Sequence, residues 1–462
     1  MTCHIFNPTI LREYDIRGRV DETLNADDAY ALGLAFGTHL LRAYDKNHVA
    51  IGYDGRLTSP TLAEALIKGL NNTGVDTILI GLGPSPMLYY AVQALDVDAG
   101  IMVTGSHNPP AYNGFKMSLK NASIYGSEIQ DIGKIAAKGH FETGSGSAKT
   151  VQIQSDYATR LLKDLNVQKP LKIVWDNGNG AAGNVLKSLV ADMPGEHYLL
   201  YDDIDGTFPN HHPDPTVDDN LSDLIQAVHD QKCDFGVAFD GDGDRIGVVD
   251  EHGTILRCDD LMAIYAADVL ANQAGASIIG DVKCSNTLFE EIERLGGNPV
   301  MAKTGHSLVK AKMKETKAPL AGELSGHIFF ADRYYGYDDA LYCAVRLMNI
   351  VSRADNLSSL TAHLPPRFST PEIRIDVPEE DKFTLVERIK KVVMKKNEGA
   401  ISDLDGVRVR TSYGWWIVRA SNTQNALSVR AESESAEGLA ALKAEIKTLL
   451  EAVIPTFNNE AF

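Results

Sequence analysis

Phe235-Gly-Val-Ala-Phe239 followed by Asp240-Gly-Asp-Gly-Asp-Arg245 decides how this chain is read. The first five residues are a short unbroken apolar run, the pattern of a buried strand. The acidic loop therefore sits at a strand's C-terminal end. Three carboxylates so close together repel one another unless a cation holds them. Carboxylate oxygens are hard ligands, suited to Mg²⁺ or Ca²⁺ rather than to a soft metal. Gly241 and Gly243 let the backbone turn tightly enough for the side chains to converge. An EF-hand loop shares the spacing, with Asp240, Asp242, Asp244 and Glu251 at four of its ligand positions. That loop needs glycine where this chain has Arg245, and both flanks here, 235–239 and 246–250, read as strands. The EF-hand match is accidental.

Working outward, a strand, a polar turn and a helix recur three times. Apolar runs at 49–52, 173–175 and 277–280 lead into Asp54-Gly-Arg56, Asp176-Asn-Gly-Asn-Gly180 and the stretch 281–286. Helical patterns follow, over 59–70, to 189 and to 295, and then second strands near 77–80, 197–201 and 299–302. These end in Gly83-Pro-Ser-Pro86, Gly206-Thr-Phe-Pro209 and Thr304-Gly-His-Ser307. A further helix and strand close each unit, at Thr104-Gly-Ser-His-Asn-Pro109, at the acidic loop, and at Gly322-Glu-Leu-Ser-Gly-His327. Such alternation predicts parallel sheets with right-handed crossovers and ligands beyond the carboxyl ends of the strands. The three loops then hold equivalent places and face one shared cleft.

After about residue 365 the pattern changes. Strands at 415–419 and 427–432 flank the turn Ala420-Ser-Asn-Thr-Gln-Asn425, and a helix is expected over 436–450. The expected class is α/β: three similar mixed or parallel-sheet α/β domains plus a smaller C-terminal α+β domain around one central cleft. The boundaries fall at 1–148, 149–255, 256–366 and 367–462.

Composition agrees with several domains, since 462 residues exceed one hydrophobic core at about 100–200 residues per domain. The net charge of −18, with no basic block, excludes a nucleic-acid partner and leaves anionic ligands to local basic pockets. The five cysteines are scattered without a CxxC pair, as idle thiols in a reducing compartment would be. No basic n-region with an apolar core opens the chain, and no apolar run could span a bilayer. The expectation is a cytoplasmic protein with no membrane partner.

Ser106 follows a glycine after a buried strand, which exposes its hydroxyl, and His107, Asn108 and Lys116 surround it in sequence. A serine hydrolase needs a histidine facing the serine; His107 is adjacent, so that dyad has poor geometry, and no GxSxG elbow exists. A serine that accepts a phosphoryl group fits better, its activation coming from a metal on the phosphate oxygens. Glu323 and Ser325, beside His327, are suited to adjacent sugar hydroxyls. Arg419, Ser421, Asn422, Thr423 and Arg430 gather cations and hydroxyls around one turn, a set suited to a phosphate dianion.

Taken together, the loops at 104–109, 240–245, 322–327 and 419–423 resemble those of the α-D-phosphohexomutase family. The resemblance runs from Tyr14-Asp-Ile-Arg-Gly18 to the C-terminal helix. Phe208-Pro-Asn-His-His-Pro-Asp-Pro215 and Lys303-Thr-Gly-His-Ser307 add to it. It implies a four-domain enzyme with one central cleft that shifts a phosphoryl group between C1 and C6 of hexose phosphates, glucose and mannose, through a hexose 1,6-bisphosphate. Ser106 would carry the phosphoryl group, with Asp240, Asp242 and Asp244 binding Mg²⁺ together with an oxygen of that phosphoserine. Glu323, Ser325 and His306 would hold the sugar, and Arg419, Ser421, Asn422, Thr423 and Arg430 the phosphate not being transferred. Tyr14, Arg17, Lys116, Arg245, Lys283 and His327 match cleft residues; His327 and Arg17 are the candidates for proton transfer. Small-molecule hexose phosphates are the implied partners, and monomer and dimer both stay open. Two positions depart from the usual pattern. Asn425 stands where many members have proline, and Leu324 where many have methionine and glucosamine-type members glutamine.

Overall fold

The computed structural model describes residues 3–120, 122–378, 380–396, 400–422, 425–454 and 457. Each of the first three domains is built on the same four strands. In the first, His48–Tyr53 lies between parallel Asp76–Leu82 and parallel Ala99–Val103, and Tyr112–Leu119 runs antiparallel outside the latter. The second repeats this with Leu171–Asp176, Gly195–Leu200, Phe235–Phe239 and antiparallel Ile246–Asp250. The third does so with Ser277–Asp281, Asn298–Ala302, Leu320–Gly322 and antiparallel Ile328–Phe330.

The sheets are thus mixed, where alternation alone predicts parallel ones. The difference has a local cause. Each polar loop joins the third parallel strand to an antiparallel neighbour, so it is a hairpin connection of a few residues rather than the start of a crossover helix. Ile16–Arg19 adds a further antiparallel strand beside Tyr112–Leu119, which brings Arg17 to the loop side of the sheet. Some helices begin at side chains that cap them. Asn25 and Asp28 form a reciprocal capping box on Ala26–Tyr44, and Asp339 caps Ala340–Val351 through the Tyr342 N–H.

One apolar core runs without a break through parts of all three domains, from Ile78 and Leu88 through Trp175 and Phe239 to Tyr265 and Leu347. The fourth domain has a separate core under the antiparallel strands Val407–Thr411, Gly414–Ala420 and Ala426–Ser433, with Ile389, Trp416, Leu442 and Ile446 at its centre. Among the described residues no helix is long and apolar enough to cross a membrane.

Candidate active site

The Ser106 loop and the acidic loop are packed directly together. Ser106 has a positive φ of 51°, a left-handed conformation rare for serine, and it is buried rather than exposed as its loop position suggests, because the acidic loop packs over it. Its hydroxyl lies 3.0 Å from Asp240 Oδ2 and 3.2 Å from His107 Nδ1. The second distance corrects the sequence expectation. Adjacent residues in an extended loop would splay apart, but the left-handed turn at Ser106 swings its side chain back onto the histidine. His107 does not form a hydrolase triad, because among the described residues no carboxylate makes a hydrogen bond to its ring. Burial first, and then the cations Arg245, Arg17 and Lys116, hold its pKa well below the usual imidazole range.

The acidic loop offers one ligand atom from each of Asp240, Asp242 and Asp244 within 4.8 Å of one another. All three residues are fully buried. Lys116 Nζ donates to Asp242 Oδ2 at 2.7 Å and to Asp244 Oδ2 at 2.5 Å, and Ser85 also donates to Asp242. The remaining oxygens, Asp242 Oδ1 and Asp244 Oδ1, are buried without a hydrogen-bond partner. Three carboxylates share the one ammonium that bonds to them, with the Arg245 guanidinium the next cation acting on Asp240 and Asp244. Burial and the neighbouring Asp244 and Asp242 accordingly push Asp240 well above the usual carboxylate range. At Asp242 burial acts in the same sense, but the Lys116 ammonium outweighs it and lowers the pKa. Hard oxygen donors that converge, two of them without a hydrogen-bond partner, fit a divalent cation.

A second layer surrounds these loops. Arg17 donates to Asn108 at 2.5 Å and pairs with Asp15. Arg245 Nε donates to His327 Nε2 at 2.9 Å, which places the ring proton of a neutral His327 on Nδ1. That nitrogen lies 3.0 Å from Asp338 Oδ2 and 3.5 Å from Asp244 Oδ1, while Lys310 donates to Asp338 Oδ1 at 3.2 Å. Asp338 escaped the sequence reading. Its only signal is the acidic pair with Asp339 before a helix, which by itself reads as capping. His306 stacks on His327 at 5.7 Å and meets the edge of Tyr14 at 5.9 Å. Burial, chiefly, and Lys310 hold His306 well below its usual pKa. Glu323 accepts the Gly305 N–H, and burial raises its pKa. Ser325 is half-buried on the same loop.

The fourth domain reaches this cleft through Tyr14. The Tyr14 hydroxyl donates to Thr304 O at 2.7 Å and accepts from Asn422 Nδ2 at 2.5 Å. Arg419 is buried and pairs with Asp405 at 2.9 Å; Lys283 pairs with Glu372 at 3.1 Å. Ser421 is half-buried, its N–H bonded to Ala426 O, and Thr423 lies outside the described residues. Arg430 stands apart from this set. It donates to Lys283 O and faces Asp259 at 3.4 Å and Glu432 at 3.3 Å, so it is engaged at the seam of the third and fourth domains.

Four family profiles match in chain order: the phosphoglucomutase/phosphomannomutase alpha/beta/alpha domains I, II and III over residues 8–143, 155–253 and 257–368, and the C-terminal domain over 372–449. The chain belongs to the phosphoglucomutase/phosphomannomutase family. It is similar to the phosphomannomutase/phosphoglucomutase of Pseudomonas aeruginosa, 45% identical over 446 residues, 96% of each chain. It is 40% identical over 450 residues to a phosphoglucomutase of Neisseria meningitidis, covering 96% of this chain and 97% of that one. Among solved structures, a phosphoglucomutase/phosphomannomutase family protein of Burkholderia thailandensis superposes with a TM-score of 0.92 at 42% identity, covering 98% of this chain and 99% of that one. In this chain the site just described brings together loops from all four domains.

Proposed function

We propose that this chain interconverts hexose 1-phosphates and hexose 6-phosphates, of mannose and of glucose, by a reversible phosphoryl shift through phosphoserine 106 and a hexose 1,6-bisphosphate. The observation that carries the reading is the Ser106 hydroxyl 3.0 Å from one of three buried carboxylates whose oxygens converge. The names of the relatives, which pair mannose and glucose, support the choice of sugars.

In the first half-reaction the free hydroxyl of the bound hexose phosphate attacks the phosphorus of phosphoserine 106. The bond from phosphorus to Ser106 Oγ breaks as the bond to the sugar oxygen forms. The hydroxyl proton passes to a base, and the serine oxygen takes one up. His327 is the better candidate base, because a guanidinium such as that of Arg17 is a poor proton acceptor. To accept at Nε2 the ring exchanges its bond from Arg245 for one from the sugar hydroxyl, with Asp338 behind Nδ1. The bisphosphate then turns over, and its other phosphate returns to Ser106 by the same steps in reverse. A bound Mg²⁺ would be held by Asp240, Asp242 and Asp244 with an oxygen of phosphoserine 106, and would neutralise charge on the transferring phosphoryl group.

Lys116, between Asp242 and Asp244, adds the remaining positive charge at the leaving oxygen. Arg17 and Arg245, both close enough to act on the neighbouring His107, add to it. Glu323, Ser325 and His306 hold hydroxyls that glucose and mannose share. Arg419, Ser421, Asn422 and Thr423 hold the phosphate that stays, joined by Arg430 once its carboxylates release it, and Tyr14 and Lys283 line the approach. His107 keeps the Ser106 side chain in place. With cysteines that form no disulfide among the described residues, a cytoplasmic setting suits the protein.

A coupled assay on both hexose 1-phosphates, with inorganic phosphate measured in parallel, tests the reading. Hexose 6-phosphate should form without release of phosphate, and intact-mass analysis should find phosphate on Ser106. Release of phosphate in step with substrate loss would make the protein a phosphatase. The two sugars differ only at C2, and a site that reads shared hydroxyls has little means of rejecting the unshared one. Turnover of the two should therefore agree to within roughly tenfold, well short of the about 10⁴-fold rejection available to a site that bonds the differing group.

A further inference from the structure

We propose that Arg56 is a positioning residue for phosphoryl transfer, holding Ser106 in the left-handed conformation that aims its hydroxyl at the acidic loop; this rests on the function proposed above. Arg56 is 1% exposed, the most deeply buried arginine of the first domain. Four of its five guanidinium hydrogen bonds go to one loop and its stem. Nη1 donates to Pro109 O at 2.7 Å and Tyr112 O at 2.9 Å. Nη2 donates to Ser106 O at 2.7 Å and Asn108 O at 2.6 Å. Nε donates to Asp54 Oδ2 at 3.1 Å. A planar fork that satisfies four carbonyls of one turn fixes the direction of each of those peptides.

Asp54 completes the cradle from the other side. It accepts the Thr104 hydroxyl at 2.8 Å, the Gly105 N–H at 3.1 Å and the Ser59 hydroxyl at 2.6 Å, while Thr104 Oγ1 accepts the Ser106 N–H at 2.8 Å. The peptides on both sides of Ser106 are therefore held, its N–H by Thr104 and its C=O by Arg56. A left-handed serine persists only where its surroundings over-determine it. Gly105 makes room: a Cβ there would lie 2.4 Å from the Arg56 guanidinium carbon. The cradle also spans two domains. The guanidinium stacks 5.3 Å from the Phe208 ring, and Gly241 of the acidic loop has no Cβ where one would meet Ser106 O at 2.4 Å. Arg56 touches none of the residues assigned to sugar or phosphate, so its effect on the reaction passes through Ser106.

The test compares Arg56→Lys, Arg56→Ala and Phe208→Leu with the unaltered enzyme. The first keeps the charge and loses the fork. The last leaves the hydrogen bonds of Arg56 intact and uncovers one face, so it serves if the other two fail to fold. Unaltered enzyme must first show mutase turnover and phosphate on Ser106; if it shows neither, the proposed function has failed and not the role of Arg56. Given both, Arg56→Lys should lose about 100-fold in kcat with KM within about 3-fold, as expected for a displaced reacting group rather than lost binding. The ratio of phosphoserine hydrolysis to transfer should rise, since water needs no alignment with the sugar. Methylguanidinium at millimolar concentration should restore part of the kcat of Arg56→Ala, and Phe208→Leu should show a smaller loss in the same direction. A folded Arg56→Lys with kcat within about 3-fold of the unaltered enzyme would overturn the proposal. So would a loss that follows only the unfolded fraction, with the hydrolysis-to-transfer ratio unchanged.

Discussion

The first three domains and the fourth are held to the rest of the molecule in opposite ways. An unbroken apolar core passes through the first three, whereas the fourth closes over a core of its own. Its attachment to the third is a small apolar patch of Val282, Trp415 and Ile417 and a set of polar contacts. Arg408 reaches Val282 O, Cys284 O and Asn286, and Ser285 donates to Glu432. The charges follow the same division. In the fused part the three aspartates outnumber their lysine, and two oxygens lack partners. At the attached end Arg419 and Arg430 of the fourth domain, and Lys283 of the third across the seam, each face a carboxylate of the protein itself. One end gathers carboxylate oxygens that converge without partners of their own. At the other, under the proposed function, cations already paired would exchange a carboxylate for a phosphate, a job suited to a domain that can shift on its seat.

The sharpest way to break this comparison is at the metal end. Asp242→Asn removes one carboxylate and should lower kcat by about 10³-fold or more, the scale of losing a main charge stabiliser in phosphoryl transfer. Its thermal midpoint should fall only modestly, since Asp242→Asn gives up the charge that Lys116 holds but keeps an oxygen for the Lys116 and Ser85 hydrogen bonds. Rigorous chelation should abolish turnover and Mg²⁺ restore it. Full activity after chelation would mean that the carboxylates serve only to seat Lys116. Ser106→Ala should lose as much as Asp242→Asn.

At the clamp end the effect is smaller and falls on binding. Arg419→Ala should raise the KM for hexose phosphates by roughly 10–100-fold, from a charged hydrogen bond of about 1.5–3 kcal/mol, with kcat changed less. Asp405→Asn is the informative counterpart. If Arg419 must leave Asp405 to take a phosphate, freeing it in advance should leave KM unchanged or lower it by a few-fold. A rise in KM comparable to that of Arg419→Ala would instead mean that Asp405 orients the arginine for the ligand.

The parts of the molecule legible in the sequence were those whose signal is local. Strand runs such as Phe235–Phe239, the strand-loop rhythm and the four polar loops are written in contiguous residues. The antiparallel partner after each loop was readable as a strand at 246–250, but its direction depends on a hairpin geometry that alternation does not encode. Arg56 was visible only as a turn residue, because its partners are backbone carbonyls and any sequence supplies those. Asp338 depends on His327 lying beside it, a contact made by folding the strand Ile328–Phe330 back toward the helix start at Ala340. The Ser106–His107 contact was misjudged because a backbone in the left-handed region cannot be read from a serine. Arg430 looked like part of the clamp from its place in the chain, and Asp259, far away in sequence, holds it at the seam.

The mildest prediction concerns the seat of the fourth domain in acid. Burial alone would raise the pKa of Glu372, but the Lys283 ammonium at 3.1 Å and the Ser428 hydroxyl at 2.6 Å outweigh it and push it down to about 2. A carboxyl more acidic in the docked state than when free contributes its stability above its ordinary pKa, near 4.5, and loses it as pH falls toward 2. Acid should therefore loosen the fourth domain by releasing Lys283. The other three domains also share a continuous apolar core, whose packing does not depend on that pair. Trp415, buried at the seam, reports this if Trp175 and Trp416 are replaced by phenylalanine. Its fluorescence should begin to change below about pH 4.5, at a higher pH than the loss of helical circular dichroism. Glu372→Gln has no proton to gain there, so its Trp415 signal should be altered already at neutral pH and flatter through the acid range. If Glu372→Gln instead titrates like the unaltered enzyme between pH 4.5 and 2, the Lys283 pair does not hold the seat. The attachment would then rest on Arg408, whose bonds to two backbone carbonyls and an amide take up no proton in that range.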